Sequence, residues 1–213
     1  MQFDWQNIET VLLDMDGTLL DLHFDSHFWL EHLPDVVANH RGIDREQALD
    51  SLRPIFESHA KTLNWYCVHF WSEQVGFDIM PHKHEVADRI AYRETAEAFL
   101  RECNKHSNDV RMVTNSHREV LKLKIQLTQI DQYFPQMLCS HELGHPKEED
   151  AFWKVLHEHS PFDPDKTLLV DDNEDVLESA ERYGIKHLYS IAQPDSSRVR
   201  QSHSRFPMIE SFV

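Results

Sequence analysis

The alternation of strand and helix signals after residue 109 constrains the fold more than any other feature of the sequence. Short, mostly apolar segments predict strands at residues 109–114, 167–171 and 186–191. Helical periodicity occupies the intervening segments at residues 117–129, 148–159 and 173–183. Strands that alternate with helices of this length are typical of βαβ units, in which parallel strands carry helices on both faces. The second half of the chain therefore predicts a parallel α/β sheet.

The first half of the chain combines one strand with a long helical region. Residues 9–15 form a short apolar segment that ends in acid and predicts a strand. Helical patterns follow at residues 26–40, from Asp44 onward, at 64–75 and at 82–105. The first strand has to join the sheet built by the second half. We therefore expect a doubly wound, Rossmann-type core formed by residues 1–21 and 96–213, with a helical cap inserted at residues 22–95.

The composition excludes several classes of protein. The 213 residues carry 21 Lys and Arg against 37 Asp and Glu, a net charge of −16 that disfavours binding to a nucleic-acid polymer. No run of about 18 apolar residues predicts a membrane span, and the first residues lack the pattern of a secretory signal. Cys67, Cys103 and Cys139 are too far apart for a zinc ribbon or a disulfide framework. We expect a cytoplasmic protein without membrane contact.

Polar side chains follow three of the predicted strands. Ligands of open parallel sheets bind beyond the carboxyl ends of the strands, so these side chains should share one site. They are Asp14 and Asp16 after the first strand, Thr114 and Asn115 after the second, and Asp171 and Asp172 after the third. Lys147 lies between the second and third of these strands, just before a helix.

The spacing of Asp14 and Asp16 points to a divalent cation. Residues two apart on an extended backbone point the same way, and neighbouring carboxylates repel unless a positive charge compensates them. Oxygen ligands at this density suit Mg²⁺. Asp171 and Asp172 add oxygen donors, and Lys147 would offset negative charge and contact an anionic substrate. Alone, the Asp14–Asp16 pair and the residues after the second strand are more often turns, and Lys147 is more often a surface charge. The Asp171–Asp172 pair is about as often a helix N-cap, whereas the four together are specific.

This combination resembles the haloacid dehalogenase superfamily of phosphohydrolases over the whole chain. The first motif of that superfamily is a hydrophobic strand followed by D-x-D-G-T, and residues 11–18 read VLLDMDGT. Its other motifs are matched by Thr114, by Lys147 in GHPKEEDAFW and by the acidic pair in LLVDDNEDVLESA. The resemblance implies an α/β core with a cap that selects the substrate.

The resemblance also implies a mechanism. Asp14 would attack phosphorus and form an aspartyl-phosphate, and Asp16 would protonate the leaving oxygen and then deprotonate water. Thr114 and Lys147 would hold phosphoryl oxygens. Mg²⁺, for which other divalent cations can substitute, would be bound by residues of the first and fourth motifs: Asp14, the Asp16 backbone carbonyl, Asp172 and Asp171.

The fourth motif leaves a choice of register. The superfamily often has Gly-Asp-x-x-x-Asp there, whereas this sequence has Asp171 in place of the glycine and Val176 in place of the last acid. A shift by one residue would make Asp171 and Asp175 the pair. We prefer Asp172 as the direct metal ligand, with Asp171 beside it, because Asp-Asp forms occur in the superfamily.

The cap contains a dense aromatic group at residues 62–77, namely Trp65, Tyr66, Phe70, Trp71 and Phe77. Aromatic rings can stack on nucleobases, but the same spacing suits a helix core, so we expect most of them to pack and one or two to line the site. We assign substrate contact to Asn115, Trp65 and Tyr66. The stretches at 14–29 and 62–79 resemble purine nucleotidases of the superfamily. This resemblance implies hydrolysis of purine nucleoside 5′-monophosphates such as GMP and IMP, with FMN as a side substrate.

Several other functions compete with this one. The segment LLVDDNEDV also resembles the opening strand of a phosphoacceptor receiver domain, but only 41 residues follow Asp172, too few to complete one. Dehalogenases generally lack the second acid of the first motif, and the intact motifs disfavour a binding module that has lost catalysis. A phosphomutase and a phosphatase of another small ester, such as a sugar phosphate or phosphoglycolate, stay open. The expected partner is in each case a small phosphorylated metabolite, and the sequence does not indicate an oligomeric state.

Overall fold

A computed structural model describes residues 3–107 and 109–212 of the chain. Within these residues the chain forms a sheet of six strands, all parallel, in the order β3-β2-β1-β4-β5-β6. The strands are β1 Thr10–Leu13, β2 Asp109–Thr114, β3 Gln136–Cys139, β4 Thr167–Val170, β5 His187–Ile191 and β6 Met208–Ile209. The predicted doubly wound parallel sheet is therefore confirmed.

Helices flank the sheet and fill the long insertion between β1 and β2. Those of the insertion are α1 His23–His27, α2 Leu33–Arg41, α3 Arg45–His59, α4 Leu63–Tyr66, α5 Val68–Val75 and α6 Met80–Glu85. Those against the sheet are α7 Ala96–His106, α8 Arg118–Thr128, α9 Ser140–Leu143, α10 Asp150–His159 and α11 Glu174–Tyr183. A π-helical stretch, Phe28–His32, joins α1 to α2. Across the described ranges, no helix has both the length and the apolar character that crossing a membrane requires.

The strands bury both of their faces. Val11 and Leu13 of β1 belong to the apolar cluster that includes α7, whereas Leu12 belongs to the cluster on the other side, with Trp153 of α10 and Leu177 of α11. Parallel sheets covered on both faces require such continuous apolar strands. Because β1 pairs with β2 on one side and β4 on the other, the residue that follows it lies at the middle of the sheet edge.

The helical insertion has an apolar core of its own. Phe28, Leu52 and Trp71 are fully or almost fully buried in it. Val120 and Leu123 of α8 belong to the same cluster, so the insertion packs on the helix that follows β2. The insertion is thereby held beside the carboxyl ends of the central strands.

The helix predicted at residues 82–105 is wrong in its first half. The structure ends α6 at Glu85 and begins α7 only at Ala96, with a 3₁₀ turn and an extended segment between them. Helical periodicity is overridden here because the backbone of residues 90–93 forms hydrogen bonds with a distant part of the chain.

The two connections between the sheet and the insertion pair with each other. The Asp21 N–H donates to the Ala91 carbonyl over 2.9 Å, and the Arg93 N–H donates to the Leu19 carbonyl over 2.9 Å. The Arg93 guanidinium also donates to the Thr18 carbonyl over 3.1 Å. The chain therefore leaves and re-enters the sheet at one place.

Four further elements differ from the predictions or refine them. The sequence did not predict β3 and β6, which have only four and two residues respectively. The helix predicted at 64–75 is interrupted at Cys67, whose φ and ψ of −88° and 113° are extended. The predicted start of α3 at Asp44 is confirmed, because its side chain accepts a hydrogen bond from the Gln47 N–H over 2.8 Å.

Candidate active site

A cavity of about 530 Å³ lies beyond the carboxyl ends of the central strands. Its size falls within the range of about 300–1,000 Å³ that is usual for small-molecule sites. All nine site residues predicted from the sequence line it: Asp14, Asp16, Trp65, Tyr66, Thr114, Asn115, Lys147, Asp171 and Asp172. Asp14 and Asp171 directly follow the neighbouring strands β1 and β4, and Thr114 ends β2, so the sheet itself brings the core residues together.

Lys147 connects two of the strand ends. Its ammonium donates to Asp14 Oδ1 over 2.5 Å, to Asp171 Oδ2 over 2.6 Å and to the Val113 carbonyl over 3.1 Å. Burial alone would lower the pKa of Lys147, but the two carboxylates raise it above its ordinary value. The side chain is therefore a permanent positive charge that already uses its three N–H donors.

Hydrogen bonds also fix the backbone of Lys147. Its carbonyl accepts from Trp153 Nε1 over 3.1 Å and from Ser179 Oγ over 2.5 Å. Its N–H donates to Asn115 Oδ1 over 3.0 Å. The lysine is thus held at both ends of its side chain, in a loop that otherwise has no regular structure.

Three carboxylates form a cluster at the base of the cavity. Single oxygens of Asp14, Asp171 and Asp172 all lie within 4.8 Å of one another. Burial raises the pKa of Asp14 to about 6, against the lowering effect of Lys147, and burial with mutual repulsion raises the pKa of Asp172 well above its ordinary value. Burial also raises the pKa of Asp171. This hard, negatively charged donor set fits Mg²⁺, which would relieve the repulsion.

Gly17 makes room for the Asp172 carboxylate. Its φ of +78° lies in the left-handed region, which favours glycine, and a Cβ built on it would stand 2.6 Å from Asp172 Cγ.

The alternative register of the fourth motif would make Asp171 and Asp175 the metal-binding pair. The Asp175 carboxylate instead forms an ion pair with Lys61 over 2.7 Å at the surface.

The Asp16 carboxylate is directed away from this cluster. It accepts a hydrogen bond from Lys124 Nζ over 2.5 Å, and the same ammonium donates to Asp25 Oδ2 over 2.6 Å. Burial raises the pKa of Asp16 to about 6, although Lys124 acts to lower it. Asp16 nevertheless lines the cavity, so it is a buried acid close to, but outside, the three-carboxylate cluster.

A second buried lysine completes this charge network within the insertion. Lys83 lies 3.6 Å from Asp25 Oδ1 and 3.9 Å from the centre of the Phe28 ring. Burial lowers the pKa of Lys83 to about 8. Nothing in the sequence spacing of Asp25, Lys83 and Lys124 indicates that these side chains meet, so the network could not be predicted.

Thr114 and Asn115 differ in the groups they offer to the cavity. The Thr114 hydroxyl oxygen accepts from the Ser116 N–H over 3.0 Å, which leaves its O–H free to donate. The Asn115 side chain donates to Glu148 Oε2 over 2.9 Å while its oxygen accepts from the Lys147 backbone. Asn115 therefore supports the site residues around it, and its contact with substrate stays a prediction.

Glu148 contacts several site residues, although the sequence did not predict it as part of the site. Besides Asn115 it accepts from the Tyr66 hydroxyl over 2.5 Å and from Asn173 Nδ2 over 3.2 Å. It thereby links the insertion to two loops of the core. Its position directly after Lys147 was the available signal, but the sequence also suits the first turn of a helix.

The aromatic residues of the insertion divide between the cavity and the apolar core. Trp65 and Tyr66 line the cavity, whereas Trp71 is buried and donates to the Trp65 carbonyl over 2.8 Å. Trp29 and Phe56 also line the cavity, although no sequence pattern singles them out. Four aromatic side chains of the insertion therefore face the acidic end of the sheet.

Comparisons with known proteins agree on one family. The family model of the haloacid dehalogenase-like hydrolases matches residues 11–189 of this sequence. The chain is 34% identical to the GMP/IMP nucleotidase YrfG of Escherichia coli, over 98% of this chain and 94% of that protein. A solved structure of a haloacid dehalogenase-type phosphatase from Thermococcus onnurineus has a TM-score of 0.79 at 17% identity, covering 96% of this chain and 94% of that one. The magnesium-bound hydrolase YfnB of Bacillus subtilis has a TM-score of 0.65 at 15% identity, covering 96% and 95%.

Proposed function

Because the chain belongs to the haloacid dehalogenase-like hydrolases, we propose that it is a Mg²⁺-dependent phosphomonoesterase acting on purine nucleoside 5′-monophosphates. The observation that carries the chemistry is the cluster of Asp14, Asp171 and Asp172 at the centre of the sheet edge, in which Lys147 contacts the buried Asp14 and Asp171. The relation to a purine nucleotidase along nearly the whole chain supports the choice of substrate.

Asp14 is the proposed nucleophile. Its carboxylate follows the central strand and is fixed by Lys147, so it has one orientation toward the cavity. Attack of its free oxygen on phosphorus would form an aspartyl-phosphate and release the nucleoside. Water would then cleave this acyl phosphate and return the free carboxylate.

Asp16 is the proposed general acid and base. A catalytic acid works best when its pKa lies near the working pH, and burial raises the pKa of Asp16 to about 6. It would protonate the leaving oxygen and afterwards accept a proton from the hydrolytic water. Lys124 would hold it in place between these two transfers.

Asp14, Asp172 and Asp171, with the Asp16 backbone carbonyl, are the residues that would hold Mg²⁺. When bound, the ion would supply positive charge that shields the phosphate and stabilises the transition state. Thr114 would donate its O–H to a phosphoryl oxygen. Lys147 would do the same after exchanging one of its present hydrogen bonds, since all three of its donors are used.

The nucleoside would occupy the part of the cavity formed by the insertion. Trp29, Phe56, Trp65 and Tyr66 provide flat apolar faces there. Stacking of a base on an aromatic side chain contributes about 1–3 kcal/mol. A purine offers the larger ring system for such contacts, in keeping with the purine nucleotidase relative.

Phosphate release from a panel of esters tests the proposal. The panel contains GMP, IMP, AMP, FMN, a sugar phosphate and phosphoglycolate, each with Mg²⁺ or with EDTA. We expect Mg²⁺-dependent release from GMP and IMP above the others, reduced at least about 10³-fold in Asp14→Asn. Asp175→Asn, which removes an acid outside the cluster, is the matched control and should keep the activity.

Each other outcome removes a defined part of the proposal. A rate near the parent's in Asp14→Asn would exclude Asp14 as nucleophile. Release from a different ester would retain the chemistry and discard the purine substrate. Full activity in EDTA would discard the metal.

Trp65→Ala tests the contact with the base separately. We expect its KM to rise about tenfold or more for GMP and much less for a small generic phosphate ester, because only the nucleotide can stack. Steady-state kinetics with both substrates measures this difference. Equal changes for both would assign Trp65 to packing.

A further inference from the structure

Three side chains of metal-ligating type lie together outside the carboxylate cluster: Cys67, His117 and His141. One ligand atom of each lies within 4.8 Å of the other two. Cys67 stands between α4 and α5 of the insertion, whereas His117 precedes α8 after β2 and His141 lies in α9 after β3. The group therefore bridges the insertion and the sheet.

Within the described part of the chain, the half-buried His141 lacks hydrogen-bond partners for its two ring nitrogens. Both of its ring nitrogens are shielded from solvent, and neither has a hydrogen-bond partner among residues 3–107 and 109–212. The Leu63 backbone approaches the ring without satisfying hydrogen-bond geometry. Because buried polar groups in folded proteins are almost always satisfied, this ring points to a ligand.

His117 Nδ1 accepts only a long hydrogen bond, over 3.4 Å from the Glu119 N–H, which an ion bound at that nitrogen would replace. The His117 and His141 rings are adjacent. Their centres are 4.9 Å apart with planes at 83°, so they do not stack on each other.

Two exposed side chains extend the group toward solvent. Ligand atoms of His69, His117 and Glu119 also lie within 4.8 Å of one another. His69 Nε2 stands 3.3 Å from Glu119 Oε1. Although His117 belongs to both groups, no group of four forms among the described residues, so His69 and Glu119 lie beside the three proposed ligands rather than among them.

We propose that Cys67, His117 and His141 bind Zn²⁺, with water in the fourth position, and that the ion fixes the insertion to the sheet. Three sulfur and nitrogen ligands from the protein with one open position form a known type of Zn²⁺ site. A thiolate disfavours Mg²⁺, so this site and the carboxylate cluster select different ions.

The proposed ion would restrict movement at the cavity. Tyr66, which precedes Cys67, and His117 both line it. A metal bridge between Cys67 and His117 opposes separation of the insertion from the sheet. The bound ion should therefore slow any turnover that needs the cavity to open. This effect on turnover rests on the proposed function, whereas the binding of Zn²⁺ does not.

Co²⁺ is a suitable probe of the site, used on the full chain with excess Mg²⁺ and a phosphine that keeps the thiols reduced. We expect one equivalent of Co²⁺ to produce a thiolate-to-metal charge-transfer band, which Zn²⁺ removes by competition. Cys67→Ser should lose the band, and His141→Asn should bind Co²⁺ at least about tenfold more weakly. Circular dichroism checks the fold of each variant.

Two control variants separate this site from other thiols and imidazoles. Cys139→Ser changes a buried thiol outside the group, and His32→Asn changes an imidazole that pairs with Glu85. Both should keep the band. The proposal is overturned if the band persists in Cys67→Ser or disappears in Cys139→Ser. It is also overturned if the band of His141→Asn saturates at the same Co²⁺ concentration as that of the parent.

Alkylation of the unmodified protein gives an answer that does not depend on a variant folding. Zn²⁺ should slow the reaction of Cys67 with iodoacetamide by at least about tenfold, because a coordinated thiolate is a poor nucleophile. Peptide mapping identifies the modified cysteine. An unchanged rate at Cys67 would overturn the proposed ligation.

The effect on turnover is measured with the ester that the panel identifies. Zn²⁺ should lower the rate of the parent and leave Cys67→Ser unaffected at the same Mg²⁺ concentration. A Zn²⁺-insensitive parent that still shows the Co²⁺ band overturns the fixing of the insertion. Absence of phosphate release from every ester bears on the proposed function alone, because the band does not require catalysis.

Discussion

Gly17 shows how a single residue controls the geometry of the carboxylate cluster. We expect Gly17→Ala to lose about 1–2 kcal/mol of unfolding free energy through its left-handed backbone and also to displace Asp172, which weakens Mg²⁺ binding. Gly42→Ala is the matched control, because Gly42 has a φ of +66° and a Cβ added to it would meet no atom within 4 Å. Urea unfolding and Mg²⁺ titration measure the two effects. Equal loss of Mg²⁺ affinity in both variants would assign it to backbone strain.

Lys83 gives the stability of the protein a predictable dependence on pH. Its pKa is lowered by burial to about 8, so the unfolded chain binds more protons than the folded chain between pH 8 and its ordinary 10.5. The penalty for burying its charge is complete below pH 8 and is relieved above it, by up to about 3 kcal/mol. The unfolding free energy of the parent should therefore rise, relative to that of Lys83→Met, between about pH 8 and pH 10.5. Lys122→Met, a change at an exposed lysine of α8, should follow the parent.

Residues within the four motifs could be predicted from the sequence, whereas their supporting residues could not. Asp14, Thr114 and Lys147 lie at strand or loop ends whose positions follow from the strand signals. Glu148 and Lys124 act through contacts with residues 82 and 108 positions away, Tyr66 and Asp16. No local pattern records such a partner, so only the folded arrangement reveals it.

At the scale of elements, the hydrogen bond between Tyr66 and Glu148 couples α4 to the loop before α10. We expect Tyr66→Phe and Glu148→Gln each to destabilise the protein and the double variant to lose less than the sum. The coupling should be about 1.5–3 kcal/mol, the usual contribution of a hydrogen bond to a charged group. Urea unfolding of the four proteins measures it.

Glu149→Gln is the control for this double-mutant cycle of Tyr66 and Glu148, because Glu149 pairs with His145 at the surface. Combined with Tyr66→Phe it should give additive changes. Additive changes in the Glu148 cycle as well would mean that the Tyr66 hydroxyl contributes no coupling.

The elements themselves were predictable to different extents. The buried strands β1 and β4 have unbroken apolar runs, β2 has one interrupted by Arg111, and α3 has a capping box, so local signals and tertiary structure agree. Residues 90–93 were misassigned because their hydrogen bonds to residues 19–21 override a helical pattern. The short β6 has too few residues to carry a pattern and depends on its pairing with β5.

At the scale of the whole molecule, Mg²⁺ binding should appear as thermal stability. A ligand that binds only the folded state at 100 times its Kd adds about 2.7 kcal/mol. We therefore expect Mg²⁺ to raise the Tm of the parent and not that of Asp172→Asn, since the variant loses one of three clustered carboxylates. Differential scanning calorimetry with Mg²⁺ and with EDTA measures this shift. Asp175→Asn should respond as the parent does, and a full response in Asp172→Asn would exclude that residue as a ligand.

The pairing of the two connections to the insertion has a consequence for how this architecture can diversify. The Asp21 N–H and the Ala91 carbonyl are hydrogen-bonded, so the insertion between them begins and ends at the same place on the sheet. A tight turn of about two to five residues would be enough to join the two connections directly. Replacement, enlargement or loss of the whole insertion would therefore leave the six strands and their acidic ends in register. The aromatic side chains that line the cavity and the acidic strand ends are thus encoded in separable portions of one gene.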